Sequence, residues 1–545
     1  MLFNSPEFLV FLAVVYGLYR VLAFRAQNLM LLAASYLFYG WWDWRFLFLM
    51  TLSTTIDYWV GLTMERGRLT PHQKVAPAIF LSLCGLFFVG LNFGELGRTL
   101  IGQSTAMPLV GPFMPYVLAG IPAFLLVAAL AYRYLSSLPE ERRLKAGVKL
   151  SLVVQLGILG TFKYFNFFVD SFAELVSSVG LHANPAHLNI ILPVGISFYT
   201  FQSLSYAIDI YRREIRATDR FLDFALFVSF FPQLVAGPIE RARNLIPQLS
   251  NPRVITLEDT TRGLYLIVFG LFKKVAIADG VAPFVDQTFG STGTLSWADV
   301  VLGTVMFAVQ IYCDFSGYSD IARGVAKLFG VELMVNFNLP YFAKNPRDFW
   351  RRWHISLSTW LSDYLYRSLG GNRGSLAFTS RNLMLTMLFG GLWHGAAWNF
   401  VLWGFYHGSV LTVHRVWTAT RGGAAAVRPL LHPVEVAKIG GFLLITLYGW
   451  LLFRATSLQQ VVEFTGILFT GPISFDVAAS PPRLSALIGM VLLAGIEIAQ
   501  YLRGGNARFY QLLPAPALGQ LTAAMLFVTV MGTSNEPAQF IYFQF

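Results

Sequence analysis

The fold class this sequence predicts is all-α: a polytopic transmembrane bundle of about twelve spans with re-entrant and interfacial helices beside them. Three observations predict it. The 545-residue chain is 55% hydrophobic and only 13% charged, about half the charge fraction usual in a soluble protein. Apolar runs recur along its whole length, many close to the ~20 residues that cross a hydrocarbon core of ~30 Å. The short loops between them carry Lys and Arg in a regular rhythm, which is the positive-inside signature.

The net charge of +11 sits in those loops, so it speaks for membrane lipids as the surface partner and against nucleic acid. The two cysteines, Cys84 and Cys313, both fall in apolar runs, which excludes a disulfide framework or a thiolate metal site. No His/Cys/Glu set has metal spacing, so no metal is expected.

The spans are expected at 8–24, 28–42, 46–64, 75–93, 116–132, 148–168, 191–211, 264–281, 299–317, 437–453, 484–502 and 517–533. The N-terminus lacks a basic n-region and a small-residue cleavage site, so the first run is expected to stay as a span. Basic loops follow the first, third, fifth and seventh spans, at Arg20/Arg25, Arg66/Arg68/Lys74, Arg133/Arg142/Arg143/Lys145 and Arg212/Arg213/Arg216/Arg220. That alternation predicts extracytoplasmic N- and C-termini. Arg98 and Arg454 are lone basic residues on the outer side of that scheme. Residues 67–147 read as an extra helical pair inserted in a single membrane domain spanning 1–545.

Three stretches resist a simple span. Residues 222–238 are apolar but short and hold Pro232 and Pro238 between flanking arginines, which predicts a re-entrant element. Residues 341–381 mix Arg, Trp and Tyr, as a helix lying in the interface does. Residues 382–417 are almost uncharged yet hold His394, His407 and His414. As one helix they would run ~50 Å, too long for the bilayer, and Gly390, Gly391 and Gly395 flank His394. The geometry expected is a bent hairpin with His394 at its apex.

An intramembrane histidine is a functional-site candidate; the bland alternative for His394 is a ring satisfied by a backbone carbonyl at the break. His354, after Arg351-Arg352, reads either as functional or as an interfacial histidine bonded to water or headgroups. His407 and His414, seven residues apart, read as structural, and His72, His182, His187 and His432 as solvated. Asp314 and Asp320 read as structural partners of an arginine such as Arg323 or Arg347, with a functional role the alternative for Asp314. Asp57 and Asp209 read as intramembrane anchors. Lys273-Lys274, inside a span, demands a broken helix or a polar cavity. Gly370–Gly374 has only a superficial likeness to a phosphate loop. A histidine in a low-dielectric pocket stays neutral and accepts a proton; that suits attack of a hydroxyl on a thioester, and the basic face suits the phosphates of coenzyme A.

The stretches FWRRWHISLSTWLSDYLY (349–366), GGLWHGAAWNF (390–400), DFSGYSDIA (314–322), NFNLPYF (336–342), LPVGISFYTFQSLSYAIDIYR (192–212) and LVAGPIERA (234–242) resemble the membrane-bound O-acyltransferase family. Within it they are similar to the branch of alginate O-acetyltransferase membrane subunits and their relatives in polysaccharide and peptidoglycan acetylation. The resemblance covers nearly all of 1–66 and 148–470; residues 67–147 depart from it.

The resemblance implies a helical bundle around a central tunnel in the bacterial inner membrane. His394 matches the buried catalytic histidine, and His354 a second signature position held by Asn, Asp or His. Arg351, Arg352, Trp353 and Trp393 are expected at the acetyl-CoA donor, Arg351 and Arg352 either binding its phosphate or only anchoring the helix, and Asp314, Asp320, Asn336, Asn399 and His407 are expected to be structural or to line the tunnel. The acetyl group is expected to leave the cytoplasm and reach an extracytoplasmic partner of the SGNH-hydrolase type, then a polysaccharide. His394 would act as base or orient the acceptor, while His354 would position the thioester or stabilise developing charge. The alternatives are export of another acyl group such as D-alanine, and a transporter or flippase.

Overall fold

A computed structural model describes residues 1–93, 95, 98, 110–181, 184–188, 191–421, 432–505, 513–534 and 540–541. Among these the regular structure is helical, apart from an isolated bridge between Leu91 and Val110. Each expected span lies mainly on helix, although 191–195 precede the helix Ile196–Tyr211. Eight helices among the described residues are long and apolar enough to cross a membrane: Arg45–Arg66, Pro71–Gly90, Met114–Ser137, Glu140–Ser178, Trp297–Leu328, Pro433–Arg454, Leu484–Leu502 and Ala515–Gly532. The remaining expected spans form helices that are shorter or less apolar: Pro6–Val21, Phe24–Asp43, Ile196–Tyr211, and Leu257–Leu271 with its continuation.

The chain forms two compact units. One comprises Met1–Val235, Ile239–Ile255 and Phe329–Glu332; the other comprises Ala236–Pro238, Thr256–Leu328 and Leu333–Phe545.

In the first unit, local chemistry starts the helices and buried polar groups join them. The Ser5 hydroxyl accepts from the Phe8 amide and Pro6 opens the helix Pro6–Val21, satisfying donors that a helix start leaves orphaned. Thr70 and Gln73 form a capping box at the start of Pro71–Cys84, and His72 falls in that first turn. Asp57 is buried and accepts from Ser151 Oγ at 2.6 Å and Gln155 Nε2 at 2.5 Å. A carboxylate costly to bury alone thus ties Arg45–Arg66 to Glu140–Leu159, the anchoring role expected of it. The stretch after Arg220 folds as two short helices, Phe221–Ser229 and Phe231–Leu234, broken at Phe230 and buried from Asp223 onward. Protein therefore surrounds the break, as a re-entrant element requires.

The second unit is built on the helix Trp297–Leu328. A Cβ on Gly324 would lie 2.5 Å from the Gly263 carbonyl oxygen, and one on Gly270 2.5 Å from that of Gly317. These four glycines let Leu257–Leu271 and Trp297–Leu328 pack backbone to backbone. The close approach explains Lys273-Lys274. The helix does not break there but changes to a π-helical stretch Phe272–Ala278 that runs on into Asp279–Phe289, and both ammonium groups meet carboxylates. Lys273 Nζ lies 2.5 Å from Asp320 and Lys274 Nζ lies 2.8 Å from Asp279 and 2.9 Å from Asp314. Arg454 is likewise paired, with Asp286 at 2.9 Å. Aromatic rings fill the core around Trp353, Trp403 and Trp450.

Candidate functional site

The hairpin forms as its glycines dictate. Ser375 caps a helix Leu376–His394 by accepting from the Phe378 amide, and Gly395 ends it in an extended conformation. A second helix, Trp398–Arg421, runs back along the first. A Cβ on Gly391 would lie 2.2 Å from the Phe400 carbonyl oxygen, and one on Gly404 2.5 Å from that of Met387. No other residue fits between these backbones. Gly391→Ala is therefore expected to cost about 1–3 kcal/mol by overpacking, read as a lower thermal midpoint of the purified protein. An unchanged midpoint would mean that the hairpin is not closed this tightly.

His394 sits at the turn, buried, with Trp393, Trp403 and Phe453 edge-on at 5.0, 5.1 and 5.2 Å. It lines a cavity of about 620 Å³. Leu357, Leu361, Leu383 and Met387 supply apolar wall, and the exposed Arg347, Arg351 and Arg415 line the same space. The cavity therefore runs from cationic, solvent-facing side chains to a buried imidazole at a helix break.

His354 lies outside that cavity and is wholly buried. Its backbone is left-handed, φ 42° and ψ 56°, which costs a non-glycine residue about 1–3 kcal/mol and persists only where its surroundings impose it. Asn336 imposes it. Its carbonyl accepts from the Ile355 amide at 2.9 Å, and its side-chain Oδ1 accepts from Ser356 N at 3.2 Å and Ser356 Oγ at 2.9 Å. The same Oδ1 lies 3.2 Å from His354 Nδ1, and Asn336 Nδ2 donates to Ser319 Oγ at 3.2 Å. The Phe315 ring packs edge-on at 4.6 Å. His354 is outside every candidate span, and burial pushes its pKa down to about 3, so the ring is neutral. Trp393 packs against both histidines, 5.7 Å from His354 and 5.0 Å from His394.

Of the residues expected at the donor, Arg351 lines the cavity. Arg352 is held by Asp348 at 2.8 Å, and Trp353 is stacked on Phe349 in the core. The stretch 341–381 is not one interfacial helix. It is broken into Pro346–Trp350, Ile355–Trp360 and a π-helical Leu361–Tyr366, because His354, Gly370 and Gly371 take positive φ.

Asp314 is paired with Lys274, not with Arg323 or Arg347 as expected. Arg323 is nine residues on, about two and a half turns, so it faces the opposite way; it binds Asp320 at 2.9 Å. Asp314 also accepts from the Ile541 amide at 2.8 Å. Asn399 donates to the Ala455 carbonyl at 2.9 Å, fixing the hairpin to the end of Pro433–Arg454. His407 is buried against Trp403 at 4.7 Å and Trp350 at 5.2 Å. His432 caps Pro433–Arg454 and His187 bonds Asp170 at 2.5 Å; His182 lies outside the described residues.

Sequence reasoning passed over Arg347, Arg415, His414, Tyr366 and Asn372 as cavity residues. The available signal was the hairpin itself, since its second helix returns His414 and Arg415 towards the level where the first begins.

The family model for membrane-bound O-acyltransferases matches residues 211–429. The chain is 39% identical over 515 residues to a probable alginate O-acetylase of Azotobacter vinelandii, covering 94% of this chain and 86% of that protein. It is 38% identical over 417 residues to a peptidoglycan O-acetyltransferase of Helicobacter pylori, covering 69% and 77%. A teichoic acid D-alanyltransferase of Bacillus subtilis is 26% identical over 246 residues, covering 43% and 62%.

Proposed function

Because the chain belongs to the membrane-bound O-acyltransferase family, and is thereby a multi-pass acyltransferase, we propose that it moves acetyl groups across a bacterial inner membrane. Cytoplasmic acetyl-CoA is the donor. The acceptor is a hydroxyl on an extracytoplasmic SGNH-type partner or on a polysaccharide, and the process served is acetylation of an exopolysaccharide or the cell wall. Membership as an acyltransferase sets aside the transporter reading.

One observation carries this proposal: the arginine-lined cavity that ends on His394. Phosphates suit Arg347, Arg351 and Arg415, and an uncharged pantetheine arm suits the apolar wall. The acetyl thioester then reaches an imidazole at the helix break. The acceptor oxygen attacks the thioester carbonyl carbon, and its proton passes to a ring nitrogen of His394. Collapse of the tetrahedral intermediate breaks the C–S bond, and the coenzyme A thiolate leaves, taking that proton.

The test is acetyl transfer from acetyl-CoA by the purified full-length protein. Arg351→Glu with Arg415→Glu is expected to raise KM for acetyl-CoA about tenfold or more with kcat nearly unchanged, and the effect should shrink with added salt. An unchanged KM would remove the cavity as the donor site. Transfer of D-alanine from a carrier protein, with none of acetyl, would replace the substrate and keep the acyl-transfer reading.

A further inference from the structure

We infer that Asn336 is a positioning residue that holds His354 in one tautomer, with the proton on Nδ1, so that His354 offers its surroundings a lone pair at Nε2 and has no N–H to give the thioester oxygen. This rests on the acyl-transfer reading above.

A backbone N–H can only donate. The Ser356 amide points at one atom of the Asn336 side chain, 3.2 Å away, and that atom must therefore be the carbonyl oxygen Oδ1. The Ser356 hydroxyl at 2.9 Å agrees with this, and the amide nitrogen is left to face Ser319 Oγ. With the amide orientation settled, the atom 3.2 Å from His354 Nδ1 is an acceptor and nothing else. The Ser356 hydroxyl also lies 3.4 Å from Nδ1, but its one hydrogen goes to Oδ1 at the shorter 2.9 Å, so Nδ1 carries a hydrogen. A neutral imidazole has one N–H and one lone pair, so Nε2 holds the lone pair.

The anchoring is stiff at every point. Asn336 is buried and takes Ile355 N on its own carbonyl. Ser319, which receives its Nδ2, belongs to the helix Trp297–Leu328. The left-handed backbone at His354 is what brings Nδ1 to Oδ1 while the next two amides reach the same asparagine.

Polarity then decides the role. Stabilising a developing oxyanion requires a donor aimed at the thioester oxygen, and neutral His354 has already committed its N–H to Asn336. Receiving a hydrogen bond requires a lone pair, which Nε2 has. The second signature histidine is thus assigned a lone-pair role at Nε2, with His394 taking the hydroxyl proton.

The test has a readout apart from activity. In full-length protein reconstituted in liposomes and labelled with ¹⁵N-histidine, the two ring nitrogens of His354 are assigned by difference against His354→Gln. Nδ1 is expected to be protonated and Nε2 unprotonated; the reverse overturns the proposal. In Asn336→Leu the Nε2–H form is expected to appear, with kcat lowered about a hundredfold and KM for acetyl-CoA within twofold of wild type. Asn336→Asp keeps an acceptor at Oδ1 and is expected to recover at least tenfold of that loss. Equal activity in Asn336→Leu, or loss in Asn336→Asp as deep as in Asn336→Leu, sinks the assignment. A wild-type protein that transfers no acyl group would defeat the functional reading, while the ¹⁵N spectrum would still decide the tautomer.

Discussion

His394→Ala is expected to lower kcat for acetyl transfer by about 10²–10⁴-fold, the range a positioned acid–base group supplies. The substitution removes the imidazole at the end of the cavity and leaves the arginines that line it, so KM for acetyl-CoA should change little. Such a split, with kcat lost and KM kept, marks an interaction made in the transition state. The fold should survive. His394 precedes Gly395, whose extended conformation ends the helix, and the hairpin is held by the Gly391 and Gly404 contacts. The check is steady-state kinetics beside a thermal melt of the same sample. Full activity with an unchanged melt would show that the imidazole takes no part.

The second large effect is structural. Lys274→Met should cost about 3–5 kcal/mol, the penalty for stranding buried charge. Its ammonium lies between Asp279 and Asp314, and all three side chains are less than a tenth exposed. Methionine leaves two carboxylates facing one another without a cation. Folded protein recovered from membranes should fall sharply, measured by monodispersity on size exclusion. Adding Asp314→Asn to Lys274→Met should restore part of the yield, because one of the stranded charges is then gone. A Lys274→Met protein as stable as wild type would mean that the ion triad contributes nothing to the fold.

Several features of the site can be read before any coordinate. Three glycines around His394, in a run too long for the bilayer, oblige a break at that histidine, and the helix ends there. Lys273-Lys274 in an apolar run predict a broken helix or a polar cavity; the helix instead runs on through a π-helical stretch, and buried carboxylates meet both ammonium groups. Other features escape such reasoning. Asn336 lies 18 residues before the His354 it clamps, in a stretch without periodicity, and nothing local announces a left-handed histidine. Asp314 offered two arginines as partners, and helical phase excluded one that sequence proximity favoured.

The residues alone determined that this is a multi-pass helical protein, where its apolar runs lie and which histidine sits at a break. Those properties follow from the cost of placing each charge or unbonded peptide group in hydrocarbon, a cost that accrues position by position. The tertiary structure decided which lysine neutralises which carboxylate, which arginines gather beside the His394 cavity, and which nitrogen of His354 carries hydrogen. These depend on how far one helix is rotated and shifted against another. That rotation is set by glycine contacts and buried polar bonds between segments far apart in the chain.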